Sequence, residues 1–170
     1  MKNRLIVFSL IIVTFFIGFT ILKRSGYDHL ELNSISEVEI TDVRQNNNII
    51  TYTLVNGTDQ TIWYGSNFVF EREWLGNWYK VEYVVDAEVT PELYNLSPNS
   101  QEEYQIHLDY WKNTKPGKYR VIKDFMLSEY NEIRKEEVPA NEYYFVSQVF
   151  EIVKWWAYYN PGYTAGKRID

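Results

Sequence analysis

From residue 35 onward, apolar and polar residues alternate in short runs with a period of two, the pattern of strands with one buried face. "NIITYTLVN" (48–56) alternates cleanly, with Ile50, Tyr52 and Leu54 opposite Ile49, Thr51 and Thr53. "EEYQIHL" (102–108) puts Tyr104, Ile106 and Leu108 on one face. "ISEVEITDV" (35–43) offers Ile35, Val38, Ile40 and Val43 inward, with one slip in the period. "TIWYGSNFVFEREW" (61–74) predicts one long strand or two joined at Gly65, and "LGN" (75–77) turns it back into "WYKVEY" (78–83). "AEVTPELYNL" (87–96) is a weaker strand, interrupted by Pro91. "KYRVIKDF" (118–125) and "YYFVSQVFEIV" (143–153) complete the set. "NGTDQ" (56–60) and "SPNS" (97–100) are turn clusters. The charged stretch 126–142 ends in a Pro-containing turn and leaves room for a helical turn. About seven to eight short strands and no long amphipathic helix predict an all-β antiparallel sandwich or barrel.

The N-terminus has a different pattern. Residues 5–22, "LIVFSLIIVTFFIGFTIL", carry no charge, and Lys2, Arg4, Lys23 and Arg24 flank them. As a helix this run spans about 27 Å, close to the hydrocarbon thickness of a bilayer. A cleaved signal peptide wants a shorter apolar run and a small-x-small exit, which "GFTILKRSG" matches poorly. The expectation is a single uncleaved transmembrane signal anchor, with residues 1–4 inside and the domain outside. Secretion after cleavage and a buried core helix are the alternatives. Residues 23–34 then read as a tether, 35–153 as the sandwich and 154–170 as an aromatic-rich tail.

Charge removes one class of partner. Two of the 17 basic residues precede the apolar run and all 23 acids follow it, leaving 15 against 23, a net −8. Nucleic acid, which needs a basic face, is not expected. The chain has no cysteine, so disulfides, thiolate metal sites and thiol nucleophiles are excluded.

"KPGKYRVIKDF" (115–125) invites reading as a basic anion-binding loop, but such a loop needs several glycines opening a helix. Here one Gly precedes a strand. The spacing fits a sandwich corner instead. Gly117 sits two residues before a corner tyrosine, Tyr119, and Val121 takes the inward position two residues later. Alternation then places Lys123 at the rim of the inward face and Arg120 outside.

With "YGSNFVFEREWLGNWYKV" (64–81), "LSPNSQEEYQIHL" (96–108), "PGKYRVIKDF" (116–125) and the closing "YYFVSQVFEIV", the chain resembles the bacterial immunoglobulin-like domain of exported Gram-positive (Bacillus-type) proteins. The resemblance covers roughly residues 48–153. It departs at Leu75-Gly76-Asn77, where Gly and Asn are transposed and the turn type is open. It implies an immunoglobulin-like β-sandwich outside the cytoplasm and carries over no catalytic residue.

Few residues suggest chemistry. His29 and His107 read as surface residues without ligand-spaced partners. Glu71, Glu73, Glu82, Asp86 and Glu88 lack calcium-loop spacing and read as a solvated face. No nucleophile elbow occurs. "NGT" (56–58) and "NLS" (95–97) read as plain turns. No catalytic residue, metal or cofactor is expected. The aromatic residues, 6 Trp, 15 Tyr and 9 Phe, are the stronger lead. Trp74, Trp78, Trp155 and Trp156 form the candidate binding surface. The expected function is a membrane-anchored, non-catalytic interaction module whose partner is a protein or envelope polymer. A carbohydrate- or cell-wall-binding module is the alternative.

Overall fold

The computed structural model describes residues 24–84, 92–112 and 114–153. The expected membrane segment 5–22, part of the weak strand 87–96 and the tail with Trp155 and Trp156 lie outside the described residues. Among the described residues no helix is long and apolar enough to cross a membrane.

Among the described residues ten strands form two antiparallel sheets: β1 (Val38–Asn46), β2 (Ile49–Asn56), β3 (Ile62–Gly65), β4 (Val69–Trp74), β5 (Asn77–Lys80), β6 (Leu93–Leu96), β7 (Ser100–His107), β8 (Gly117–Asn131), β9 (Glu136–Pro139) and β10 (Tyr144–Ile152). The first sheet runs β1-β2-β7. The second is built on β8. Its first half pairs with β4 and β10, and its second half with β3 and β9; β5 and β6 lie outside β4 and β3. The count exceeds the expected seven to eight for two reasons. The long strand 61–74 breaks after Gly65 into β3 and β4, and the 126–142 stretch adds β9. That stretch is an extension of β8 returning as a hairpin, with one tight turn where Asn131 O accepts from Lys135 N at 2.8 Å.

The period-two faces meet in one core. Ile50, Tyr52, Leu54 and Ile106 from the first sheet pack against Tyr64, Phe70, Tyr119, Val121, Phe125 and Ile152 from the second. Phe70, Tyr119 and Phe150, on adjacent strands, stack with centroids 5.1 to 6.3 Å apart. The slip in β1 is a bulge: its register shifts between Thr41 and Arg44, and Asp42 has φ 50°. This returns Val43 to the core side, where it packs partly buried.

At the corner, the Tyr119 hydroxyl donates to Lys115 O at 2.6 Å and accepts from Lys115 N at 2.9 Å. Gly117 has φ 148°, and a Cβ there would meet the Arg72 guanidinium at 3.4 Å. The 56–60 turn is tied by buried Asn56, whose amide donates to Gln60 O, Leu96 O and Ser97 O, while its Oδ1 accepts from Thr58 N.

Two side chains of β8 depart from the expected placing. Lys123 is not at a rim; it is 1% exposed. Arg120, expected outside, is also buried. The segment read as a tether covers it: from Arg24 to Asn33 the chain lies along the outer face of the second sheet. Ser25 N donates to Trp78 O at 2.9 Å and Asn33 N to Phe145 O at 2.7 Å.

Candidate functional site

Three groupings of polar and aromatic residues stand out, and one of them is exposed. It begins where β7 ends. A 3-10 turn, Leu108–Tyr110, carries the chain from the first sheet toward the strand end beyond β5. The two segments zip together: Val84 N donates to Tyr110 O at 2.7 Å, and Lys112 N to Glu82 O at 2.8 Å. The Lys112 and Glu82 side chains pair at 3.1 Å. This brings Tyr83 edge-on to Trp111, with centroids 4.8 Å apart at 90°, and 6.0 Å from Tyr110 at 47°. His107, expected to be a plain surface residue, packs against Tyr110 at 5.6 Å. Tyr83 is 39% exposed, Tyr110 48% and Val84 52%. Trp111 is anchored inward on Phe68 and Phe70. The result is a contiguous set of half-exposed rings seated on Trp111, the arrangement of an interaction patch.

The second grouping lies under residues 24–28. Arg120 Nε donates to Glu71 Oε2 at 2.7 Å, and Arg120 Nη2 reaches Asp28 Oδ1 at 3.1 Å and Ser25 Oγ at 3.2 Å. The guanidinium stacks 4.5 Å from the centroid of the Trp78 ring. Glu71 is fully buried, which overturns its reading as part of a solvated face. Its Oε1 has no hydrogen-bond partner among the described residues.

The third grouping is internal. At the break between β3 and β4, Lys123 Nζ donates to the carbonyls of Gly65 and Asn67, at 2.6 and 3.2 Å. The ammonium also lies 4.9 Å from the Tyr64 ring and 5.4 Å from that of Tyr104. Burial pulls the Lys123 pKa down to about 8, with Asp124 and Glu102 partly opposing. The Tyr64 hydroxyl donates to Glu102 Oε2 at 2.7 Å and accepts from Tyr104 at 2.6 Å. Desolvation is the main cause that raises Tyr64 to about 12 and also raises Tyr52 and Tyr104. These bonds satisfy the buried Lys123 ammonium and the Tyr64 and Tyr104 hydroxyls.

The Trp pair expected at the surface does not form one face. Strand register pairs Trp74 with Asn77 and Trp78 with Glu73, so the pleat sends the two indoles to opposite faces of the hairpin. Trp78 is half-buried, with Arg120 over its ring and the Lys118 ammonium 5.8 Å away. Trp74 is 36% exposed. Among the described residues no three His, Asp or Glu side chains are placed to hold a metal ion. A groove of about 620 Å³ separates the edge strands β1 and β10, lined by Val38, Ile40, Asp42, Val146 and Phe150 among others.

Among solved structures, the archaellum periplasmic stator protein FlaG from Sulfolobus acidocaldarius is similar to this chain at 20% identity. The match covers 66% of this chain and 97% of that one, with a TM-score of 0.38. No curated protein matches the sequence. The profile of the bacterial Ig-like domain matches residues 32–142, from the end of the docked N-terminal segment through the β8–β9 hairpin, and by that match the chain belongs to the bacterial Ig-like domain family.

Proposed function

We propose that the chain is a non-catalytic interaction module of the cell envelope of an exported, Gram-positive type. Residues 5–22 hold it to the membrane and the sandwich lies outside. It binds a protein partner through the flank formed by Tyr83, Val84 and Tyr110 over Trp111. The observation that carries this reading is the contiguity of those exposed rings. Family membership supports a binding scaffold and leaves the ligand to the surface. The rings are tilted at 47° and 90°, which favours an irregular protein surface over the flat stacking that a sugar ring uses.

The test is a photoreactive phenylalanine analogue placed at Tyr83 or Tyr110 of the full chain in intact cells. Discrete adducts are expected from both positions and none from the exposed Glu137 on β9. Adducts absent at positions 83 and 110 would overturn the protein-binding reading. Retention on purified cell wall that is lost in Tyr83→Ala with Tyr110→Ala would replace it with the polymer-binding alternative.

A further inference from the structure

The sandwich is open along the groove between β1 and β10, where each sheet ends in an edge strand. Asn33 shows how the β10 edge is turned. It ends the strap that runs from Arg24 over the second sheet. Its N–H donates to Phe145 O, and its Oδ1 accepts from Ser147 N, both at 2.7 Å. The odd-numbered residues of β10 therefore direct their main-chain groups away from β8 and toward the groove. At the far end Val153 N donates to Gln45 Oε1 at 3.1 Å, and between the two ends the Gln148 amide covers Val149 O. The N–H groups of Val149 and Glu151 have no partner among the described residues. The β1 edge is of the same kind. Glu37 O accepts from Gly57 N on the β2 side, so the main-chain groups of Ile40, three residues on, face the groove.

The apolar core thins at the same place. The face of β10 turned to the core begins and ends with buried Val146 and Ile152, but between them Gln148 is exposed and Phe150 half-buried. Across the groove Val43 is likewise only partly buried.

The sequence supplies a strand former at the mouth of this groove. Residues 154–170 follow Val153 directly. Residues 155–160, "WWAYYN", are dominated by Trp and Tyr, which favour strands. Extended, they span roughly 20 Å, enough to run past residues 147–151 before Pro161-Gly162 ends the run. Charge agrees. Residues 154–170 carry Lys154, Lys167 and Arg168 against one acid, Asp170, in a chain whose formal charge is −6. The charged side chains that line the groove, Glu39 and Asp42, are both acidic.

We infer that residues 155–160 return as an antiparallel strand along the free edge of β10 and close the groove. Strand addition pairs the Val149 and Glu151 N–H groups and shields the edge from a second copy. Alternation gives Trp155 and Tyr159 one face and Trp156 and Tyr158 the other, so in either register an aromatic pair covers Gln148 and Phe150. The groove and the Tyr83–Tyr110 flank share no residue.

Residue-resolved amide hydrogen exchange tests this on the full chain and on the same chain ended after Val153, both in detergent micelles. The N–H groups of Val149 and Glu151 are expected to exchange at least about tenfold faster in the shortened chain, with Val121 on β8 unchanged. A second variant keeps the length: Trp155→Ser, Trp156→Ser, Tyr158→Ser and Tyr159→Ser together should lose the same protection. If shortening also speeds exchange at Val121, this variant decides. Equal exchange at Val149 and Glu151 in the full chain and the serine variant would overturn the inference. Protection that appears only as the protein dimerises with rising concentration would overturn it too, and would make a second copy the occupant.

Discussion

Arg120 closes on Glu71 at 2.7 Å with both side chains buried, on the sheet face that the pleat assigns to solvent. The pair sits there because residues 24–28 cover it, and Arg120 bonds Ser25 and Asp28 as well as Glu71.

Removing the cation should therefore do two things. Arg120→Ala leaves the Glu71 carboxylate without its partner, which costs up to about 3–5 kcal/mol for as long as the segment above keeps it buried. It also releases the strap. Urea unfolding should show the loss, and hydrogen exchange should show faster exchange at Ser25, whose N–H bonds to Trp78 O. Arg120→Met with Glu71→Leu should recover most of the stability but leave the strap exchanging fast, because Asp28 and Ser25 still lack their donor. Unchanged exchange at Ser25 would show that Arg120 does not hold the segment.

The corner makes a smaller, sharper prediction. Tyr119→Phe keeps the stack on Phe70 and Phe150 and deletes only the hydroxyl that bonds Lys115 O and N. The expected loss is about 0.5–1.5 kcal/mol, the net contribution of a hydrogen bond whose lost partner water can replace at exposed Lys115. A denaturant midpoint equal to that of the parent would mean the corner is held by Gly117 and the Arg72–Pro116 contact instead.

Leu75→Asn should stabilise the isolated protein. It relieves a side chain from a left-handed turn position, where a non-glycine residue pays roughly 1–2 kcal/mol, and no packed contact is lost. A lower melting temperature in Leu75→Asn would mean that the leucine makes contacts that stabilise the turn.

Most of the strand frame was legible in the sequence because each inward set, such as Ile50, Tyr52 and Leu54, repeats strictly every second residue. Even the slip in 35–43 had a physical meaning, as the bulge at Asp42. The corner was legible from the spacing of Gly117, Tyr119 and Val121. Burial of Arg120 was not, because its cover is a polar segment without periodicity, docked through hydrogen bonds rather than an apolar stripe. Lys123 was misplaced for a related reason. Its partners are main-chain carbonyls beside a strand break, and carbonyls leave no trace in side-chain pattern. The Tyr83–Tyr110–Trp111 flank joins segments nearly thirty residues apart through backbone bonds, so no local motif announces it.

The buried lysine gives a pH signature. Its folded-state pKa is near 8, below the 10.5 of an unhindered lysine. Below pH 8 the ammonium is charged in both states, and burying it costs on the order of 3 kcal/mol. Between pH 8 and 10.5 the unfolded chain holds the proton more tightly, so stability rises with pH and the cost fades. The tyrosines act in the opposite sense: Tyr52, Tyr64 and Tyr104 are raised, so above pH 10 the folded state holds more protons and stability falls. Lys123→Met retains the three tyrosines and removes the rising limb. The urea midpoint of the parent relative to this variant should climb between pH 7.5 and 10. A difference that stays flat across that range would show that Lys123 titrates like an exposed lysine, and that its bonds to Gly65 and Asn67 fully offset its burial.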